Sequence, residues 1–435
     1  MLKGLTDHPQ RYALTNELHA RPFQPVAVPG RAVHLALKRS ENAASRDPRE
    51  DRAHLIDFLD RHGAPHPPPE ANQYVHDFGR FRMKWERHTE FNAYTLYADG
   101  AEQDVFSLDL AEIFPREWLE AAGGEVIAAI QVEVLPADSA EDARKMVEGP
   151  LAREFTAESL AVARVLDDAA LAMGDFRIHE GGFSRFALVV YGEAGPRRIG
   201  RLVQRLIEIE VYRAVSMLAL PVARDISQRL NDISRSMAAL IDRVARGEEA
   251  GPEREILSEL TELSADLESM AANTAFRFGA RGAYEALVHS RIDSLREERV
   301  AGRQLFSEFM ARRYDPAMRT CQAAERRLAA LATRASRIGD LLSTRVNVAV
   351  EAQNQRLLES MDRRAALQLR LQETVEGLSV VAISYYAVSL ATYILAPIAL
   401  RTQISEETLT AAVAIPVIGL VWWMIRRMRE RLTRE

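Results

Sequence analysis

Two short strings bring carboxylate, imidazole and guanidinium groups within a few residues of one another. One is Asn16-Glu17-Leu18-His19-Ala20-Arg21-Pro22-Phe23, and the other is Trp85-Glu86-Arg87-His88-Thr89-Glu90-Phe91. Such sets hold the proton donors, acceptors and fixed positive charge that acid–base chemistry or anion binding requires. The same groups suit a buried ion-pair network tying the amino-terminal segment to a sheet. That polar network is the expected use of Asn16, Glu17, His19, Arg21, Trp85, Glu86, Arg87 and His88.

Other chemistry finds little support. His62, His66, His76 and His88 fall within 27 residues, but their spacing matches no zinc pattern and two flank the proline-rich His62–Glu70. The lone Cys321 excludes an intrachain disulfide. Gly-x-x-x-x-Gly-Lys, Gly-x-Gly-x-x-Gly, His-Glu-x-x-His, Cys-x-x-Cys and Gly-x-Ser-x-Gly are all absent. Basic residues divide into 52 Arg and 4 Lys and are interspersed with acids, which argues against a nucleic-acid partner. The expectation is a protein without catalysis, bound cofactor or metal.

A third polar set lies in an apolar context. Gly377–Leu400 is 24 residues without a formal charge, and Thr408–Ile425 is a further 18. About twenty helical residues span a bilayer core, so these read as two transmembrane spans, the first closed by Pro397. In the first span Tyr385, Ser389 and Thr392 follow i, i+4, i+7 spacing, with Tyr386 and Tyr393 alongside. Hydroxyls in hydrocarbon need partners, so this stripe faces either another helix or a water-filled pore. Trp422, Trp423, Arg426 and Arg427 end the second span as interface anchors. Five Arg follow Ile425, whereas the connection between the spans has Arg401 alone. The arginine bias places both termini in the cytoplasm of a multi-pass membrane protein, and the first twelve residues hold no apolar signal-peptide core.

The elements that must position these residues fall into blocks. Residues 1–195 mix strand and helix signals and read as an α/β domain with a mixed sheet, within a mixed α+β fold. Phe81, Met83 and Trp85 alternate with Arg80, Arg82, Lys84 and Glu86, the pattern of a half-buried strand. Further strands are expected at 32–38, 91–97, 125–134, 159–166, 172–179 and 183–191, and helices at 49–61, 110–122 and 140–155. Residues 196–376 read as a helical bundle with a long stalk helix. Its helices are expected at 198–246, broken near Pro221, and at 252–313, with a turn at 247–251. From Pro316 to Pro397 there is no intervening proline, and Leu328, Leu331, Ala335, Ile338 and Leu342 form a coiled-coil-like or bundle-facing stripe, with a break near Gly339 left open. A two-span hairpin at 377–426 and a basic tail at 427–435 complete the chain.

The average net charge of −6 and mean hydropathy of −0.18 describe a soluble acidic protein. They blend two parts: residues from Gly377 onward carry net +2, and those before it net −8.

The strings NELHARPF, KWERHTEF and RRAALQLRLQETVEGLSVVAISYY resemble a family of uncharacterised bacterial membrane-anchored proteins defined as a domain of unknown function. That resemblance implies membrane anchoring and supplies no activity. The order of parts also resembles CorA-type magnesium channels, which implies a homo-oligomer, a pentamer if the likeness is close. Their Gly-Met-Asn filter is absent; Tyr393-Ile394-Leu395-Ala396-Pro397 stands in its place. The reading is therefore a membrane-anchored, cytoplasm-facing scaffold or sensor that oligomerises through its stalk, with the lipid bilayer as its partner. The alternative is a divergent CorA-like channel for divalent cations that lacks the filter.

Overall fold

The computed structural model describes residues 6–17, 23–39, 47–100, 105–107, 114–245, 252–402 and 405–432. The expected turn at 247–251 lies outside them. Among the described residues nine strands form one mixed sheet: β1 Gly30–Lys38, β2 Gln73–Asp77, β3 Arg82–Arg87, β4 Phe91–Asp99, β5 Glu125–Pro136, β6 Ala161–Val165, β7 Ala170–Ile178, β8 Ser184–Val190 and β9 Glu298–Arg299. Their order is β2-β3-β4-β1-β5-β8-β7-β6-β9, with β5 and β8 parallel and the other neighbours antiparallel. The mixed α+β class agrees with the sequence. Strands β2 and β9 were not anticipated, because Gln-Tyr-Val-His-Asp lacks apolar alternation and two residues carry no period.

One face of the sheet is apolar. Leu35 and Leu37 of β1, Met83 and Trp85 of β3, and Tyr94 and Leu96 of β4 form a cluster with Leu55, Phe58, Leu59 and Trp118. The covering helices are α2 Pro48–Arg61 and α3 Arg116–Glu120. Asp47 caps α2 by accepting the Arg49 amide, and Pro48 starts it without losing a needed donor. The neighbouring strands continue this face under α4 Ala140–Glu148, through Val162, Leu171, Met173 and Val189. The expected helix 140–155 stops at Gly149-Pro150, since Pro150 has no amide hydrogen; a 3-10 turn, Leu151–Glu154, follows. The helix expected at 110–122 is confined, among the described residues, to α3.

The opposite face departs from expectation. Register places Lys84 beside Thr95 and Thr95 beside His34, so polar side chains of three strands share one row. The half-buried strand would leave this row in water. Instead Lys84 is 1% exposed and Glu86 9% exposed, because α5 Pro196–Met217 covers the face and packs on β5 and β1. That helix brings buried Ile199, Leu202, Val203, Leu206 and Ile209 to the sheet, each contributing about 1.5–3 kcal/mol of burial.

One close approach sets the entry to this layer. A Cβ on Gly200 would stand 1.8 Å from the Gln24 carbonyl oxygen, so only glycine lets residues 24–26 cross the helix. The Val26 amide donates to Pro196 O at 3.0 Å, and the crossing leaves Phe23 beneath the Arg201 guanidinium, 5.1 Å from the ring centre.

The remaining helices are α6 Ala219–Ala245, α7 Pro252–Leu295, α8 Phe306–Arg313 and α9 Asp315–Thr402, with α10 Glu406–Leu432 after them and α1 Arg11–Glu17 near the start. The break before α6 falls at Leu218, which puts Pro221 in the first turn of α6, where proline is tolerated. The expected helix 252–313 is interrupted between α7 and α8 by β9. In α9, Leu328, Leu331, Ala335 and Leu342 are buried and Ile338 is half-buried, as the stripe predicted. Neither Gly339 nor Pro397 ends α9; it runs to Thr402, and α10 starts at Glu406. Apolar flanks keep the backbone bonded within the helix on either side of the one donor that Pro397 lacks.

The chain divides into two compact units, 1–247 with 258–337, and 248–257 with 338–435. Replacing Gly200 with alanine is expected to destabilise the first unit by about 1–3 kcal/mol, since backbone atoms must shift. Thermal unfolding of the full chain in detergent checks this.

Candidate ligand-binding cavity

Between the polar sheet face and α5 lies a cavity of about 320 Å³. Strands supply His34, Glu86, Phe91, Thr95 and Tyr97 to its wall. The α5 residues lining it are Arg201, Gln204, Arg205, Ile207, Glu208, Val211 and Tyr212, spaced so that one face of the helix meets the cavity; Phe23, His88 and Arg291 complete the wall.

Charges in and beneath the cavity pair unevenly. Lys84 Nζ contacts Glu86 Oε1 at 3.0 Å and lies 3.4 Å from Gln204 Oε1. Arg291 forms an ion pair with Glu208, whose other oxygen accepts from Gln204 Nε2 at 2.7 Å. Burial opposes the Arg291 charge, but Glu208 outweighs it and raises the guanidinium above its ordinary value. Arg205 is shifted down, first by burial and then by the charges of Arg201 and Arg291. Its Nη1 donates to Ser294 O at 2.9 Å. Among the described residues neither Arg201 nor Arg205 forms an ion pair, although the nearby Glu208 charge partly offsets the downward shift of Arg205.

His34 is 4% exposed. Its Nδ1 lies 2.8 Å from Thr95 Oγ1, while Nε2 is buried without a hydrogen-bond partner. Burial, with Lys84 as a second cause, pulls its pKa down to about 3. Burial raises the Tyr97 phenol above its ordinary value. The wall is thus basic, with a neutral imidazole and ring surfaces at its sides.

The structure separates the sequence-nominated residues. Glu86 and His88 line the cavity, His88 stacked 4.3 Å from the Phe91 ring centre. Trp85 points the other way, into the apolar core, and Arg87 pairs with Asn72 at the strand end. The first string reaches the cavity through Phe23. His19 and Arg21 lie outside the described residues, as do the side chains of Asn16 and Glu17, although those two belong to α1. His34, Arg201, Arg205 and Arg291 were not anticipated. The signal for the helical pair was the recurrence Arg201, Arg205, Glu208, which reads equally as a solvated face.

Among the other histidines, His62 and His76 rest on the Phe78 ring and His66 pairs with Asp60. Among the described residues no group of three or more His, Cys, Asp or Glu is arranged to hold a metal.

In the second unit, the covered stripe of α9 is Ser384, Ala387, Val388, Ala391, Thr392 and Leu395. Tyr385, Tyr386, Ser389 and Tyr393 are exposed, and Thr392 Oγ1 donates to Val388 O at 2.8 Å. Arg426 and Arg427 sit over the rings of Trp422 and Trp423, 5.2 and 5.0 Å from their centres. Two helices, α9 and α10, contain stretches long and apolar enough to cross a membrane.

A mixed α+β protein with a helix-covered basic cavity and two long apolar helices is the class these features define. The chain belongs to the family described as Protein of unknown function (DUF3422), whose model matches residues 6–432. No curated protein matches it. A structure of the full-length CmaX protein is similar at 14% identity over 77% of this chain and 94% of that chain, with a TM-score of 0.18, a value that carries no argument.

Two outcomes test this electrostatic arrangement. Lys84→Met leaves Glu86 buried and uncompensated and is expected to cost about 3–5 kcal/mol, whereas Lys84→Met with Glu86→Leu recovers most of it, measured by thermal unfolding. The His34 contribution is complete above its unfolded value of 6.5 and is lost as pH falls toward 3, because only the unfolded chain takes up the proton. Stability therefore declines by about 1.4 kcal/mol per pH unit from this residue below roughly pH 6. His34→Asn is expected to flatten the stability–pH curve between pH 6 and 5 by about that amount.

Proposed function

We propose that the chain is a membrane-anchored, non-catalytic protein that assembles into a homo-oligomer through α9 and acts as a scaffold or sensor. The supporting observation is the continuity of α9. The helix that buries Met318, Cys321, Leu328 and Leu331 continues without interruption into the uncharged run Gly377–Leu400. Between them Val350, Leu357 and Met361 are exposed at heptad-like spacing, and Leu367, Leu371 and Val375 follow, also exposed. A second copy of the same helix presents a matching surface, which favours a coiled-coil-like contact. The arginine bias favours an inner-membrane hairpin with both termini in the cytoplasm and the connection near Ser405 outside.

A second reading is a divalent-cation channel without the Gly-Met-Asn filter. It is favoured by the exposure of Tyr385, Ser389 and Tyr393, whose hydroxyls would meet a neighbouring subunit or water in an assembled pore.

A Cys321→Ser, Ser405→Cys chain is expected to react with a membrane-impermeant maleimide added to intact cells, and protection until lysis would overturn the orientation. Light scattering in detergent should return a multiple of 48.8 kDa; a strict monomer removes the oligomer reading. Magnesium flux into liposomes carrying the protein would favour the channel over the scaffold.

A further inference from the structure

We propose that the α5 cavity binds a soluble organic anion, with its oxyanion on Arg201 and Arg205 and a hydrogen-bonding group of its body at His34 Nε2. The inference stands on the cavity alone and is independent of the membrane reading.

Three observations converge on it. The first is charge. Glu86 answers Lys84 and Glu208 answers Arg291, while Arg201 and Arg205 line the cavity, one turn apart, and neither forms an ion pair among the described residues; Glu208 acts on Arg205 only as a neighbouring charge. A carboxylate or phosphate group offers a guanidinium pair charge-assisted, bidentate hydrogen bonds. The second is His34 Nε2. It belongs to a residue only 4% exposed that lines the cavity, and it has no hydrogen-bond partner. A buried polar atom left alone loses about 1–3 kcal/mol, so native folds supply it with a protein, water or ligand partner. The third is the remaining wall. Phe23, His88, Phe91 and Tyr212 offer ring surface to an apolar or planar body. At about 320 Å³ the cavity falls at the small end of ligand sites, roughly 300–1,000 Å³, and admits a compact metabolite but not a diacyl lipid. Inorganic phosphate alone would satisfy the arginines and leave His34 unmet.

The test uses the full chain in phosphatidylcholine nanodiscs, with four probes followed by saturation-transfer NMR. The anions are 4-hydroxybenzoate and 4-hydroxyphenyl phosphate; benzoate lacks the distal hydroxyl, and 4-hydroxybenzyl alcohol lacks the charge. At least one hydroxylated anion is expected to bind ten-fold or more tighter than the alcohol. On the native chain, excess inorganic phosphate is expected to displace it, and chloride of equal ionic strength is not. Arg201→Gln with Arg205→Gln, checked for an unchanged unfolding midpoint, is expected to weaken binding at least ten-fold. His34→Asn is expected to remove the advantage of 4-hydroxybenzoate over benzoate. Equal binding of anions and alcohol, or full binding in the folded double-arginine variant, overturns the proposal. Displacement by phosphatidylglycerol placed in the nanodiscs would reassign the site to a lipid headgroup and also overturn it.

Discussion

An ammonium group removed from water is among the costlier things a fold can hold, and Lys84 is 1% exposed on the helix-covered face of the sheet. Such a charge persists only with a partner close by and with its donors occupied. Glu86, two residues on and on the same face, supplies the carboxylate, and Gln204 of α5 adds an acceptor. The other features of that layer follow from this constraint. The positive charge beneath His34 joins burial in keeping the imidazole neutral. The apolar stripe of α5 adds burial that opposes the desolvation cost of the pair.

Lysine suits this position for a physical reason. The chain uses 52 arginines and 4 lysines, so a lysine here runs against its own composition. A compact ammonium on a flexible stem fits between two strands and a helix, whereas a planar guanidinium would need five donors satisfied in a fixed fork. The arginines instead stand farther out, along α5 and on α7, where the cavity gives their forks room. The division of labour is spatial: point charge under the helix, forked charges around the cavity.

The mixed α+β class was legible because each apolar strand face has its own period. Leu35 with Leu37, Met83 with Trp85, and Tyr94 with Leu96 announce a core face by alternation alone. Helix boundaries followed where capping or proline chemistry is local, as at Asp47-Pro48 and Pro196. The reading failed where a local rule met a non-local partner. Arg82, Lys84 and Glu86 look like a solvent face, and nothing nearby in sequence says that a helix more than a hundred residues later will cover them. In the candidate site, the second string contained Glu86, His88 and Phe91, but its spacing could not say that Trp85 and Arg87 point elsewhere.

The sequence by itself determined where the two apolar C-terminal helices and most of the sheet strands lie. Uncharged length is a sum over neighbouring residues, and the strand and helix periods are read within a dozen positions. These quantities need no tertiary contact, so the two apolar C-terminal helices, the α9 stripe and the core strands could be named in advance. Only the tertiary structure decided which polar residues meet. His34, Thr95, Arg201, Arg205 and Arg291 come from β1, β4, α5 and α7, and register and helix placement bring them together. Their convergence depends on strand pairing and on the backbone crossing at Gly200, interactions between segments far apart in the chain, which no local period encodes.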